Sequence, residues 1–170
     1  GHIYDQLIVA GTVSELQRCG ALVPARHFGC DEPDLRNIGQ VALAKLAAGE
    51  DLTEQENVKA IMAPGVHARV LEWWRRLNPR ALPTILFAPG VKESLFFAEE
   101  FNKVGVRAAH IDGDHVWIDG EMLKSTQQNR DLVLEMSRDG RVKILCNRFV
   151  LREGIDAPWL GHGIFATVFG

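Results

Sequence analysis

Residues able to do chemistry are gathered late in the chain. Leu151-Arg152-Glu153-Gly154-Ile155-Asp156-Ala157-Pro158 contains a Glu-Gly-Ile-Asp-x-Pro turn. It places carboxylates beside a backbone that only glycine leaves uncluttered, an arrangement suited to a hydroxyl-bearing ligand such as ribose. No phosphate loop of the form G-x-x-x-x-G-K-[ST] accompanies it. The run His110-Ile111-Asp112-Gly113-Asp114-His115 has side chains that zinc or a harder ion accepts, but no His/Cys spacing of a closed site, so no metal is expected. Cys19, Cys30 and Cys146 have no base paired with them in sequence, and none is assigned as a nucleophile.

These residues need a scaffold, and the hydrophobic pattern supplies one from residue 83 onward. Thr84 to Ala88 is a short apolar run, as expected of a strand buried on both faces. Lys92 to Val104 reads as a helix stopped by Gly105, and Val106 to Ile111 as a second strand. Gly120 to Asp139 reads as one long helix stopped by Gly140. Val142 to Cys146 is a third strand, Phe149 to Arg152 a helical turn, and Gly163 to Val168 a last strand. Alternation of this kind predicts a mostly parallel sheet with helices on both faces. Ligands of such sheets gather beyond the carboxyl ends of the strands, where Pro89-Gly90, Asp112-Gly113 and Asn147-Arg148 fall.

The first 82 residues are read as a mainly helical segment and residues 83–170 as an α/β domain. Tyr4 to Ala10 suits a short strand or turn. Ser14-Glu15-Leu16-Gln17 reads as a capping box for a helix ending at Gly20. A helix over Gly39 to Ala48 and another opened by a Thr53/Glu56 capping box follow. His67 to Leu77 carries Val70, Leu71, Trp74 and Leu77 at helical spacing, with Asn78-Pro79 ending it. Trp74, Trp117 and Trp159 are expected to pack. Trp73 lies at the border of the apolar face, and Arg75-Arg76 reads as a solvated face.

Composition agrees with a folded, non-membrane chain. Of 170 residues, 46% are hydrophobic and 24% charged, which excludes a disordered class. The net charge of −3 excludes a uniformly basic, histone-like surface. A local basic stripe remains compatible with it, because phosphate contacts act over a Debye length of roughly 8 Å. Three dispersed cysteines without a C-x-x-C, no apolar run long enough for a bilayer and no secretory signal point to the cytoplasm. Gly1-His2 reads as a cloning remnant and the chain as an excised piece.

In order, these segments resemble the second RecA-like lobe of superfamily-two, DEAD/DEAH-type ATP-dependent helicases of phage and bacterial kind. Thr84-Ile85-Leu86-Phe87-Ala88-Pro89 resembles the family's fourth motif, and Gly105 to Gly113 the strand and loop after it. Ser125-Thr126 with Arg130 resembles an S-x-x-x-R stretch at loose spacing. Val142 to Asn147 followed by Leu151 to Pro158 resembles the fifth motif, and Gly163 to Thr167 the strand towards the sixth. Tyr4-Asp5-x-Leu7 and Ser14 to Pro24 resemble the connector between the two lobes.

The resemblance implies a RecA-like three-layer fold. It implies that Gly154 and Asp156, with Glu153 adjacent, approach the nucleotide, Asp156 near the ribose. It also implies a nucleic-acid track of DNA or RNA backbone along Pro89, Gly90, Asp112, Gly113, Ser125, Thr126, Asn147 and Arg148, with Lys92 adding charge and Arg107 a less plausible contributor. ATP and Mg2+ would be held mainly by a first lobe outside this chain, and the chain alone would be inactive. No Q-x-x-G-R-x-G-R motif is present to supply arginine fingers. The bland readings stand beside these: an Asx turn at 154–156, plain strand-end turns, and solvated first-turn residues at Ser125 and Thr126. A non-catalytic nucleic-acid or protein binding module with the same fold is the rival.

Overall fold

A computed structural model describes residues 11–29, 35, 38–62, 66–148, 150–151 and 157–166. The chain separates into two compact units, Gly1–Asp31 and Glu32–Gly170. In the first, α1 (Val13–Arg18) is opened by Thr12. Its hydroxyl accepts from the Glu15 amide, while the Glu15 carboxylate accepts from the Thr12 amide at 2.8 Å. The capping box thus lies two residues before the expected Ser14/Gln17 pair. Thr12 is the residue with extended backbone, and Ser14 is already helical.

In the second unit, α2 (Gly39–Ala47) and α3 (Glu54–Ile61) close a small cluster around Ile38, Ala42, Leu52 and Ala60. The Thr53/Glu56 capping box forms as expected, and Glu56 also takes Lys45 at 3.0 Å. The box holds the Glu56 carboxyl well below its usual range, to about 2. Next, α4 (Val66–Leu77) is locked to strand β1 (Thr84–Phe87) by buried polar groups. Trp74 Nε1 donates to Thr84 Oγ1 at 2.9 Å, and Asn78 Nδ2 donates to the Leu82 carbonyl at 2.9 Å.

The remaining elements are α5 (Val91–Lys103), β2 (Ala108–Ile111), β3 (His115–Ile118), β4 (Glu121–Lys124), α6 (Gln127–Arg138), β5 (Ile144–Asn147) and β6 (His162–Phe165). Six strands form one sheet in the order β4-β3-β2-β5-β1-β6, with β2, β5, β1 and β6 parallel. Residue alternation assigns its two faces. Leu86, Ala108, Ile144 and Cys146 pack with Ile61, Trp74, Phe97 and Phe101 of the helices on one side. Ala109, Ile111, Val116 and Leu145 pack with Val133 and Met136 of α6 on the other. The crossover through α5 and the one through α6 run in opposite directions on opposite faces, and so keep one handedness. The outcome is the three-layer α/β class, with a mostly parallel sheet, that the sequence predicts.

A larger expectation also fails. Residues 120–139 are not a single helix: β3 and β4 form an antiparallel hairpin, and α6 starts only at Gln127. Asp119-Gly120 is the cause, since both residues take positive φ (52° and 86°), as a two-residue turn of this hand requires. His115-Val116-Trp117-Ile118 upstream supplies the aromatic and β-branched residues of a strand, so pairing wins over the helix propensity of Glu121 to Lys124. The packing expectations for Trp74 and Trp117 hold, at 5% and 9% exposure.

Candidate nucleic-acid interface

The parallel strands end on one line. Phe87 is paired with Asn147 on one side and Phe165 on the other, and Ile111 with Asn147. Pro89-Gly90, Asp112-Gly113 and Arg148 are therefore brought to a single carboxyl edge, where α5 begins with Gly90 as its N-cap. Among the candidates, Pro89, Gly90, Asp112 and Asn147 are buried, Gly113 and Thr126 are exposed, and Ser125 and Arg148 are half-buried. Glu153, Gly154 and Asp156 lie outside the described residues. Arg107 belongs to the opposite end of the sheet, where its guanidinium grips Asp119 across the β3–β4 turn.

Several of these side chains work inside the fold. Asn147 Nδ2 donates to the Leu86 carbonyl at 3.0 Å, and its Oδ1 faces the Leu151 amide at 3.4 Å. Asp112 Oδ1 accepts from the amides of Asp114 and His115, both at 2.7 Å, closing the turn after β2. Asp112 Oδ2 lies 2.9 Å from His110 Nε2, and His110 Nδ1 lies 2.7 Å from Ser94 Oγ on α5. Burial holds the His110 ring below the usual histidine range, against the pull of Asp112. Burial pushes the Asp112 carboxyl upward, but His110 and the two amides outweigh it and hold it below the carboxylate range. A neutral imidazole beside an ionised carboxylate fixes the protons. Ser94 O–H donates to Nδ1, and Nε2–H donates to Asp112.

This relay has the residue types of a serine-hydrolase triad, but the ring nitrogens are exchanged, with Ser94 on Nδ1 and Asp112 on Nε2, and it lacks a triad's accessibility. Ser94 is 0% and His110 1% exposed, so no acyl group can reach the hydroxyl. Its effect is positional: it fixes β2 and its terminal turn to α5. Sequence alternation places His110 and Asp112 on one face, but nothing in it singles out Ser94, which lies sixteen residues away.

A second network holds the same turn from the α6 side. Ser125 Oγ donates to the Asp112 carbonyl at 2.9 Å and accepts from Arg130 Nε at 2.7 Å. Arg130 Nη2 reaches the carbonyls of Asp112 and Gly113 at 3.3 and 3.4 Å. Thr126 caps α6, its hydroxyl accepting from the Asn129 amide at 3.2 Å. The Asp112-Gly113 turn is thus a rigid platform that leaves Gly113 exposed.

No family model matches the chain. It is 24% identical over 155 residues to a "51.5 kDa protein" of Lactococcus phage (isolate 7-9), covering 91% of this chain and 30% of that protein. Among solved structures it is similar to the Hef helicase domain of Pyrococcus furiosus, with 18% identity and a TM-score of 0.46, over 75% of this chain and 22% of that one. In both cases the chain spans less than a third of its relative's length.

The charge at the edge is mixed. Arg148 Nε donates to the Pro89 carbonyl at 2.9 Å while its Nη2 pairs with the Glu54 carboxylate of α3. A Cβ placed on Gly90 would run into the Glu93 carboxylate and lie 3.1 Å from Glu54 Oε1. Two carboxylates therefore crowd the start of α5, a feature that no local sequence pattern reveals for Glu54. Among the described residues no group of three or more His, Cys, Asp or Glu could hold a metal ion. No described helix is long and apolar enough to cross a membrane.

Proposed function

We propose that this chain is the second RecA-like lobe of an ATP-dependent nucleic-acid helicase or translocase, whose carboxyl sheet edge carries half of a single-strand track. The observation that supports it most is the alignment of Gly90, Gly113 and Arg148 at the ends of three parallel strands. The exposed backbone of Gly113 and one half-buried guanidinium there suit sugar-phosphate, which needs positioning rather than base reading. The Glu153-Gly154-Ile155-Asp156 string supplies the ribose side. ATP and Mg2+ belong chiefly to a first lobe. The metal and its ligands there would stabilise charge during phosphoryl transfer, while closure of this lobe changes its grip on the strand.

The test uses a parent protein carrying both lobes. Asp156→Ala should lower strand-stimulated ATP turnover at least about tenfold, the scale of a lost ground-to-transition-state contact. Gly113→Glu should weaken strand binding, because open space surrounds that glycine and the added carboxylate meets phosphate rather than protein. Unchanged turnover and unchanged binding in the two variants would sink the reading. So would ATP hydrolysis by the 170-residue chain alone that Asp156→Ala abolishes.

A further inference from the structure

Resting on that reading of the edge, we infer that Glu54 stands in for a backbone phosphate on Arg148, so that α3 keeps the track closed until a strand displaces it. The Arg148 guanidinium is pinned through Nε to the Pro89 carbonyl, and its Nη2 pairs with the Glu54 carboxylate. A carboxylate is planar, anionic and two-oxygened, the group that most resembles a phosphate to an arginine fork. The second oxygen of the same carboxylate lies 3.1 Å from where a Cβ on Gly90 would stand, beside the nearer Glu93 carboxylate. Glu54 thus occupies the Arg148 strand end of the proposed track and borders that of Gly90.

The cap of the helix that carries Glu54 does not need it. α3 is opened by Thr53 and Glu56, and Glu56 alone completes the capping box and binds Lys45. The latch is also open to exchange: the Glu54 and Arg148 side chains are 50% and 29% exposed. A pair this wet is weak enough for a polyanion to replace, since exposed ion pairs contribute little on their own. A strand brings several phosphates and releases counterions on binding, which one carboxylate cannot match.

Fluorescence anisotropy of the 170-residue chain with labelled oligothymidylate and, separately, oligouridylate tests the latch at low salt. Glu54→Gln should tighten binding about two- to fivefold, with the gain shrinking as salt rises. Arg148→Ala should weaken it, and Glu54→Gln/Arg148→Ala should show no gain over Arg148→Ala. The two oligonucleotides separate DNA from RNA as the occupant. If wild type binds through Arg148 but Glu54→Gln binds no better, or only melts earlier, Glu54 is a tether and the latch is overturned while the track stands. If no variant binds either strand, unlocking Arg148 has achieved nothing, and latch and track fall together.

Discussion

Replacing Asp112 with alanine removes three acceptor contacts at once, and the structure says what each is worth. His110 Nε2–H is left without a partner in a site where the ring is 1% exposed, costing about 1–3 kcal/mol for an unsatisfied buried donor. The amides of Asp114 and His115 lose their acceptor too, but both residues are exposed and water can serve them, at roughly 0.5–1 kcal/mol each. The sum is about 2–5 kcal/mol. Urea unfolding at neutral pH should show it as a midpoint lowered by about 1–2.5 M at a slope of about 2 kcal/mol/M.

Asp112→Asn separates the parts of this sum. The asparagine keeps an oxygen for the two amides but turns an amide nitrogen towards His110. The ring must then move its proton to Nδ1, with Ser94 accepting instead of donating, so the loss should be only about 1–2 kcal/mol. An alanine variant that loses less than about 1 kcal/mol would refute the buried relay. An asparagine variant as damaged as the alanine would refute the proton assignment.

Two further outcomes follow from burial and packing. Burial lowers the folded pKa values of His110 and His162, so just below the unfolded value of about 6.5 the unfolded chain binds protons that the folded chain refuses. Stability should therefore fall as pH drops through that window, and again below the ordinary carboxyl range as Asp112 is protonated; a urea midpoint that rises towards acid would contradict both shifts. Gly161→Ala should cost about 1–2 kcal/mol, because its Cβ would sit 2.8 Å from Leu82 Cδ1, whereas Gly113→Ala, with nothing within 4 Å, should be near neutral; equal thermal shifts would count against this packing.

The layers of the fold are legible in the sequence because burial on both faces writes itself as short apolar runs, as at Thr84–Phe87 and Ile144–Asn147. The hairpin is not, because Glu121 to Lys124 favours a helix by local propensity, and only pairing with His115–Ile118 makes a strand of it. Its signal was nonetheless present in Asp119-Gly120. At the candidate site, the strand-end glycines could be placed from topology alone. The roles of Asp112 and Asn147 could not, since their residue types suit an exposed turn and a buried brace equally. Ser94 and Glu54 arrive from sequence distances that no local pattern spans.

A chain of net charge −3 is an unpromising partner for a polyanion, yet its backbone is polarised in a favourable sense. α5 and α6 both start at the carboxyl edge of the sheet, from Gly90 and Thr126, and run back to end in Lys103 and Arg138. Each helix presents the positive end of its dipole, roughly half an elementary charge, to that edge, and its basic last turn offsets the negative end at the far side. A positive potential at that edge is thereby built into the peptide units themselves, and at α5 it meets the carboxylates of Glu54 and Glu93. Surface substitutions that change net charge should alter it far less than any change in where those two helices begin.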